Sequence, residues 1–183
     1  MNEQTTTSTQ ADGRAVEAVK RHHAAMASTL SHLVDRLVLV PATAPEANVT
    51  AREELVGWCR TELVPHALAE ERTMYPAAHV MEAGRLLVDG MLEEHKVIVG
   101  LVDEVDRADT HVGAAAAAKA LLTVFRLHLG KENDLVLPLL AADDDVSVVE
   151  LLGGMHELLG AADGAHDRHG DEHDGQARGT AHH

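Results

Sequence analysis

Four stretches of this chain carry apolar residues that step by three and four, and each sets one histidine in its apolar row. That period is α-helical, so each row lies along one face of a helix. Such a face must be buried against others like it, which confines the chain to helices packed on helices. From about Ala15 to Val40 the row reads Val16, Val19, His23, Met26, Leu30, Leu33 and Leu37. The second row is Leu55, Cys59, Leu63, His66, Glu70, Thr73 and Ala77. The third, within about Glu82 to Asp109, is Val88, Met91, His95, Ile98, Val102 and Val105. The fourth starts near Thr110 and reads Ala117, Leu121, Val124 or Phe125, His128, Glu132, Leu135 and Leu139.

The fold expected is all-α: an antiparallel up-down-up-down four-helix bundle with a short fifth C-terminal helix. One Phe, one Tyr and one Trp leave the core to Leu, Val, Ala and Met, and strand-like alternation is absent. Pro41 should stop the first helix. Thr50 to Glu53 fits a capping box that would open the second. Pro65 should kink that helix just before His66, and Pro76 should end it. Gly90 and Gly100 should weaken the third, and Pro138 should bend or end the fourth. Ser147 to Glu150 can cap a fifth helix with a stripe of Val149, Leu152, Met155 and Leu159. The organisation expected is a disordered polar segment over residues 1–13, a bundle over 14–141, an accessory helix over 142–160 and a flexible tail over 161–183.

A formal net charge of −15 argues against nucleic acid and anionic membrane surfaces as partners. No apolar N-terminal stretch and no uninterrupted apolar span are evident, so a cytoplasmic protein, monomeric or weakly dimeric, is expected. Cys59 is the single cysteine and reads as a small core residue.

The chemistry is in the histidines. His66 and Glu70, like His128 and Glu132, are four residues apart and so share a helix face one turn apart. Buried imidazoles and carboxylates need polar partners, and a shared metal satisfies all of them. With His23 and His95 they make four nitrogens and two carboxylates, a set that suits iron or manganese. Two octahedral ions need about twelve ligand positions. Four imidazoles, two bridging carboxylates and one oxo or hydroxo bridge leave roughly two for a small ligand. Tetrahedral zinc needs fewer ligands, and the Glu-x-x-His pairs of ferritin-like iron sites are missing from these positions.

The ordered set of His23, His66 and Glu70 followed by Glu71 and Tyr75-Pro76, then Glu94-His95, then His128 and Glu132, resembles the hemerythrin-like, or HHE cation-binding, domain over about residues 14 to 141. The resemblance implies an antiparallel four-helix bundle around a non-haem di-iron centre. It implies His23, His66, Glu70, His95, His128 and Glu132 as iron ligands, with two irons joined by an oxo or hydroxo bridge. The chain departs from the oxygen-carrying hemerythrins at Val99, where they have a second histidine, and at Asn133, where they have an aspartate. One imidazole fewer leaves the site more open. That shifts the expected function from plain oxygen carriage toward chemistry on O2, peroxide or nitric oxide, with a non-catalytic O2 or iron binder or sensor as the alternative.

Several residues stay open. His22 is the runner-up to His23, whose row position with Val19, Met26 and Leu30 is the better one. Glu71 reads as an outer carboxylate that orients a ligating imidazole. Tyr75 reads as an aromatic plug, with a hydrogen bond to the site or ligation as alternatives. His32 reads as a surface or inter-helix polar residue, and His79, His111 and His156 as surface or capping residues. The tail histidines His166, His169, His173, His182 and His183 read as part of a polar tail or as weak metal collectors.

Overall fold

The structure, a computed structural model, describes residues 2–41 and 43–166, and side chains over 10–41 and 43–159. Its helices are α1 (Asn2–Leu39), α2 (Pro45–Trp58), α3 (Val64–Arg72), α4 (Met74–His79), α5 (Arg85–Arg107), α6 (His111–Lys131), α7 (Leu137–Ala141) and α8 (Val148–His166). A π turn, Cys59–Leu63, joins α2 to α3, and a second, Glu132–Val136, joins α6 to α7. No strand occurs among the described residues.

The first helix differs from expectation at its start, because residues 2–13 prolong it instead of lying unstructured. Extending an existing helix adds one hydrogen bond per residue without a new nucleus. Asp12 also ties this end down: its Oδ1 accepts from Val149 N at 3.1 Å and from Ser147 Oγ at 3.4 Å, at the head of α8. Ser147 caps that helix through Glu150 N, as expected, but α8 runs on to His166. His169, His173, His182 and His183 lie outside the described residues.

The second helix opens at Pro45, not at Thr50. Proline at the first turn has its φ preset and lacks only a donor that the helix would leave unpaired. Thr50 sits inside the helix, its hydroxyl donating to Glu46 O at 3.1 Å. Pro65 and Pro138 each stand two residues beyond a π turn. The wider turn accommodates the missing N–H and the ring, so helical structure continues past both prolines and does not end at Pro138. Each π turn also inserts a residue into the apolar row. Leu135 is therefore half-exposed, and Val136, Leu137 and Leu140 are buried in its place. The break before Pro76 falls earlier, at Thr73 (φ −123°, ψ −75°), and turns Met74, Tyr75 and Ala78 inward in place of Ala77. Helix α5 passes through Gly90 and Gly100 unbroken, and Thr110 caps α6 by accepting from Gly113 N at 3.1 Å.

Two apolar clusters fill the interior. One joins Leu30, Val34, Leu55, Cys59, Ile98, Leu121 and Phe125. The other joins Val19, Met74, Tyr75, Met91, Leu137, Leu140 and Met155. The buried polar residues His23, His66, Glu70, His95, His128 and Glu132 fall where the clusters meet: His23 lies between Val19 and Met26, and His95 between Met91 and Ile98. Cross-helix pairs fix the register: Asp35 with Lys119, Ser31 with Arg126 and His23 with Asn133; Arg36 with Glu54; Arg60 with Asp106. One helical run, His111–Ala141, is long and apolar enough by length and composition to cross a membrane, contrary to the reading of the sequence. Its Ala114, Ala117, Ala118, Leu121, Leu122 and Leu129 line the core, and it carries the buried His128 and Glu132.

Candidate metal centre

The six residues singled out in the sequence come together. His23 arrives from α1, His66 and Glu70 from α3, His95 from α5 and His128 from α6, while Glu132 begins the second π turn. All six are at least nine-tenths buried. His22 is exposed, with its ring centroid 5.0 Å from that of His66.

Each carboxylate turns its two oxygens to different imidazoles. Glu70 Oε1 lies 3.0 Å from His66 Nε2 and 3.4 Å from His23 Nε2, while its Oε2 lies 3.8 Å from His95 Nε2. Glu132 Oε2 lies 3.7 Å from His23 Nε2, and its Oε1 lies 3.3 Å from His128 Nε2. Two sets of atoms close enough to share a metal ion follow: Glu70, His95, His128 and Glu132; and His23, His66 and Glu70.

The outer nitrogens decide what the inner ones can be. His23 Nδ1 pairs with Asn133 Oδ1 at 2.9 Å, His95 Nδ1 with Glu71 Oε1 at 2.8 Å, and His128 Nδ1 with Glu94 Oε2 at 3.1 Å. These partners are acceptors, so each Nδ1 carries the proton and a neutral ring keeps its lone pair on Nε2. Lone pairs on Nε2 therefore face carboxylate oxygens, an arrangement that repels unless a cation or protons lie between. His23 Nε2, His66 Nε2, Glu70 Oε1 and Glu132 Oε2 are buried and make no hydrogen bond. A metal ion resolves this conflict, and the donor set fits one.

Electrostatics point the same way. Burial lowers the affinity of His23 for a proton, but its contact with Glu70 and the charges of Glu132 and Glu70 outweigh that, so its pKa is raised. Burial alone would raise the pKa of Glu70, yet His66 and His23 hold it well below the usual carboxylate range. Tyr75 is pushed far above the ordinary phenol value by burial and by the charges of Glu132 and Glu70. Its hydroxyl thus keeps its proton and donates to Glu132 Oε1 at 2.7 Å, with His95 Nε2 at 3.3 Å and His128 Nε2 at 3.2 Å. Tyr75 thereby does more than plug the helix end: it puts a hydroxyl among the site atoms.

Glu71 stands behind His95, as the sequence suggested. Glu94 and Asn133 were missed as imidazole partners. Glu94 is next to His95 in sequence but serves His128, one helix away, and also pairs with Lys131. Asn133 reaches His23 across the bundle, and only the register of the second π turn aims it there. His79 pairs with Asp89 at 3.0 Å on the surface, apart from the site. The Cys59 thiol is fully buried, burial pushes its pKa up to about 12, and it lies in neither set of atoms close enough to share a metal ion.

The hemerythrin HHE cation binding domain is the family whose model matches this chain, over residues 14–140. Neither the curated proteins nor the solved structures gave a significant match. The chain belongs to the hemerythrin HHE cation-binding family, and its His and Glu cluster is able to hold a metal ion.

Proposed function

We propose that His23, His66, Glu70, His95, His128 and Glu132 would hold two iron ions in this hemerythrin-family chain, and that it performs redox chemistry on peroxide, nitric oxide or O2. The observation that carries the reading is that His23 Nε2 and His66 Nε2 face Glu70 Oε1 and His23 Nε2 faces Glu132 Oε2, all four atoms buried without a hydrogen bond. On one side stand His23 and His66 with Glu70 Oε1 and Glu132 Oε2. On the other stand His95 and His128 with Glu70 Oε2 and Glu132 Oε1. We also read the four long helical runs as alternating in direction. The support is that paired residues fall in one helix as they rise in its neighbour: 35, 31 and 23 meet 119, 126 and 133.

Bound iron would supply the redox couple and Lewis acidity. The protein's own residues then divide the rest. Glu71, Glu94 and Asn133 hold three imidazoles in one tautomer and orientation, and the two carboxylates strengthen the donation of their rings. The flanking Leu, Met and Val exclude bulk water. Tyr75 keeps a proton on its hydroxyl beside His95 and His128, the only phenol available to a small ligand there. Val99 offers no imidazole and is half-exposed in the groove between α3 and α5, which supports an open ligand position.

The test is direct. Protein loaded with iron should bind two ions per chain, show an oxo-bridge charge-transfer band and consume hydrogen peroxide or nitric oxide. Clean reversible O2 binding without turnover of either would overturn the catalytic part. A second reading, as a binder or sensor, is favoured by one observation: buried donors from several helices converge on one cluster, so metal occupancy should be linked to stability. Equal stability with and without iron would count against it.

A further inference from the structure

Three of the four cluster imidazoles give their outer N–H to a protein acceptor; His66 does not. His66 is 3% exposed, and its Nδ1 is buried without a hydrogen-bond partner. This ring instead lines a cavity of about 120 Å³ between α1, α3 and α8. Val19, Leu152 and Met155 give the cavity apolar walls, and His22 and His156 are its other polar lining residues. Both are exposed, so the space opens to solvent past them.

We propose that this cavity is a binding site for one small monovalent anion of carboxylate size, held by His66 Nδ1–H with His22 and His156 beside it. The inference rests on the metal reading above, because a metal on Nε2 fixes the proton of a neutral His66 on Nδ1. That donor is met by no protein atom, and an anion entering from solvent would accept its hydrogen bond more strongly than water does. The equivalent donors of His95 and His128 are met by carboxylates. No carboxylate lines this cavity among the described residues, and three imidazoles do. The volume is enough for formate, acetate or bicarbonate. An anion there would do for His66 what Glu71 does for His95: orient the ring and strengthen its donation to the metal. The site would then let a solute from outside tune the centre through one ligand, without occupying a metal position.

Formate is the probe. Iron-loaded protein is titrated with sodium formate against a chloride control at equal ionic strength, and iron content and the optical band are followed. The expected result is a saturable shift of the band. His156→Ala should weaken the formate response about tenfold through loss of a donor. Leu152→Trp, which fills the cavity, should abolish it. Both variants should keep the parent's iron content and formate-free spectrum. If both respond to formate as the parent does, the anion acts at the metal and the proposal is overturned; no response in the parent overturns it as well. A protein that takes up no iron would remove the metal reading and this one together, whereas iron uptake with no cavity-dependent response removes this one alone.

Discussion

A single hydroxyl separates two uses of Tyr75. In the metal-free protein it is the donor to Glu132 Oε1, a buried carboxylate oxygen at 2.7 Å. Tyr75→Phe should therefore destabilise the metal-free protein by about 1–3 kcal/mol, because it leaves a buried acceptor unmet. Urea unfolding of stripped protein reads this, and an unchanged midpoint would show that the hydrogen bond contributes nothing. The histidines make a second prediction, on pH. The raised pKa of His23 contributes stability that is complete below about 6.5, the ordinary imidazole value, and is lost as pH rises through the folded value. The depressed pKa of Glu70 contributes stability present above about 4.3 and lost as pH falls toward the folded value. Stripped protein should thus lose thermal stability as pH rises from about 6 to 8. Iron-loaded protein should gain it over the same range, since protons compete with metal for imidazole. Melting temperatures of the two forms across that range should slope in opposite directions; parallel slopes would count against His23 as a group shared by protons and metal.

At the scale of helices, the rows of period three and four were readable because burial follows them closely. All six positions of the α5 row are buried, and every residue of the expected donor set sits in its row. The π turns were not readable. Proline at 65 or 138 signals trouble for a helix, but a kink, an end and a widened turn all relieve the same missing N–H. Only packing selects among them, so Leu135 was placed inward and Val136 was overlooked. Helix partners across the bundle were hidden for the same reason: which acceptor meets His23 depends on the extra residue in the turn beside Asn133. Gly84 is another position decided by packing. Its backbone is ordinary (φ −89°, ψ −24°), but a Cβ there would stand 2.0 Å from Ala78 O and 2.9 Å from Leu139 Cδ2. The turn between α4 and α5 closes only if nothing projects from that position. Gly84→Ala should cost about 1–3 kcal/mol by overpacking, measured as a lower urea midpoint. A stability equal to the parent's would mean that the α4–α5 turn shifts freely.

Across the whole molecule, the polar layer connects the two apolar clusters. The cluster with Leu30, Leu55 and Phe125 draws on the long runs of α1, α2, α5 and α6, which contact one another extensively. The other draws on the short helices α4 and α7, on α8 and on the early part of α1. Helix α4 has only six residues and α7 only five, too few to persist without their neighbours. What joins this end to the rest includes two of the donors, Glu70 near the end of α3 and Glu132 just ahead of α7, with Tyr75 of α4 hydrogen-bonded to Glu132. A metal held by those donors binds the folded arrangement and not the unfolded chain, so its free energy is added to the stability of the elements it joins. Removing it restores the repulsion among Nε2 lone pairs and carboxylates at that junction. Hydrogen exchange should therefore rise on metal removal chiefly in α3, α4, α7 and α8, with a smaller change in α2 and the first half of α6. Amide exchange followed by mass spectrometry on stripped and loaded protein makes the comparison. A uniform rise over all helices would instead make the molecule one cooperative unit, in which the ligand layer is no seam.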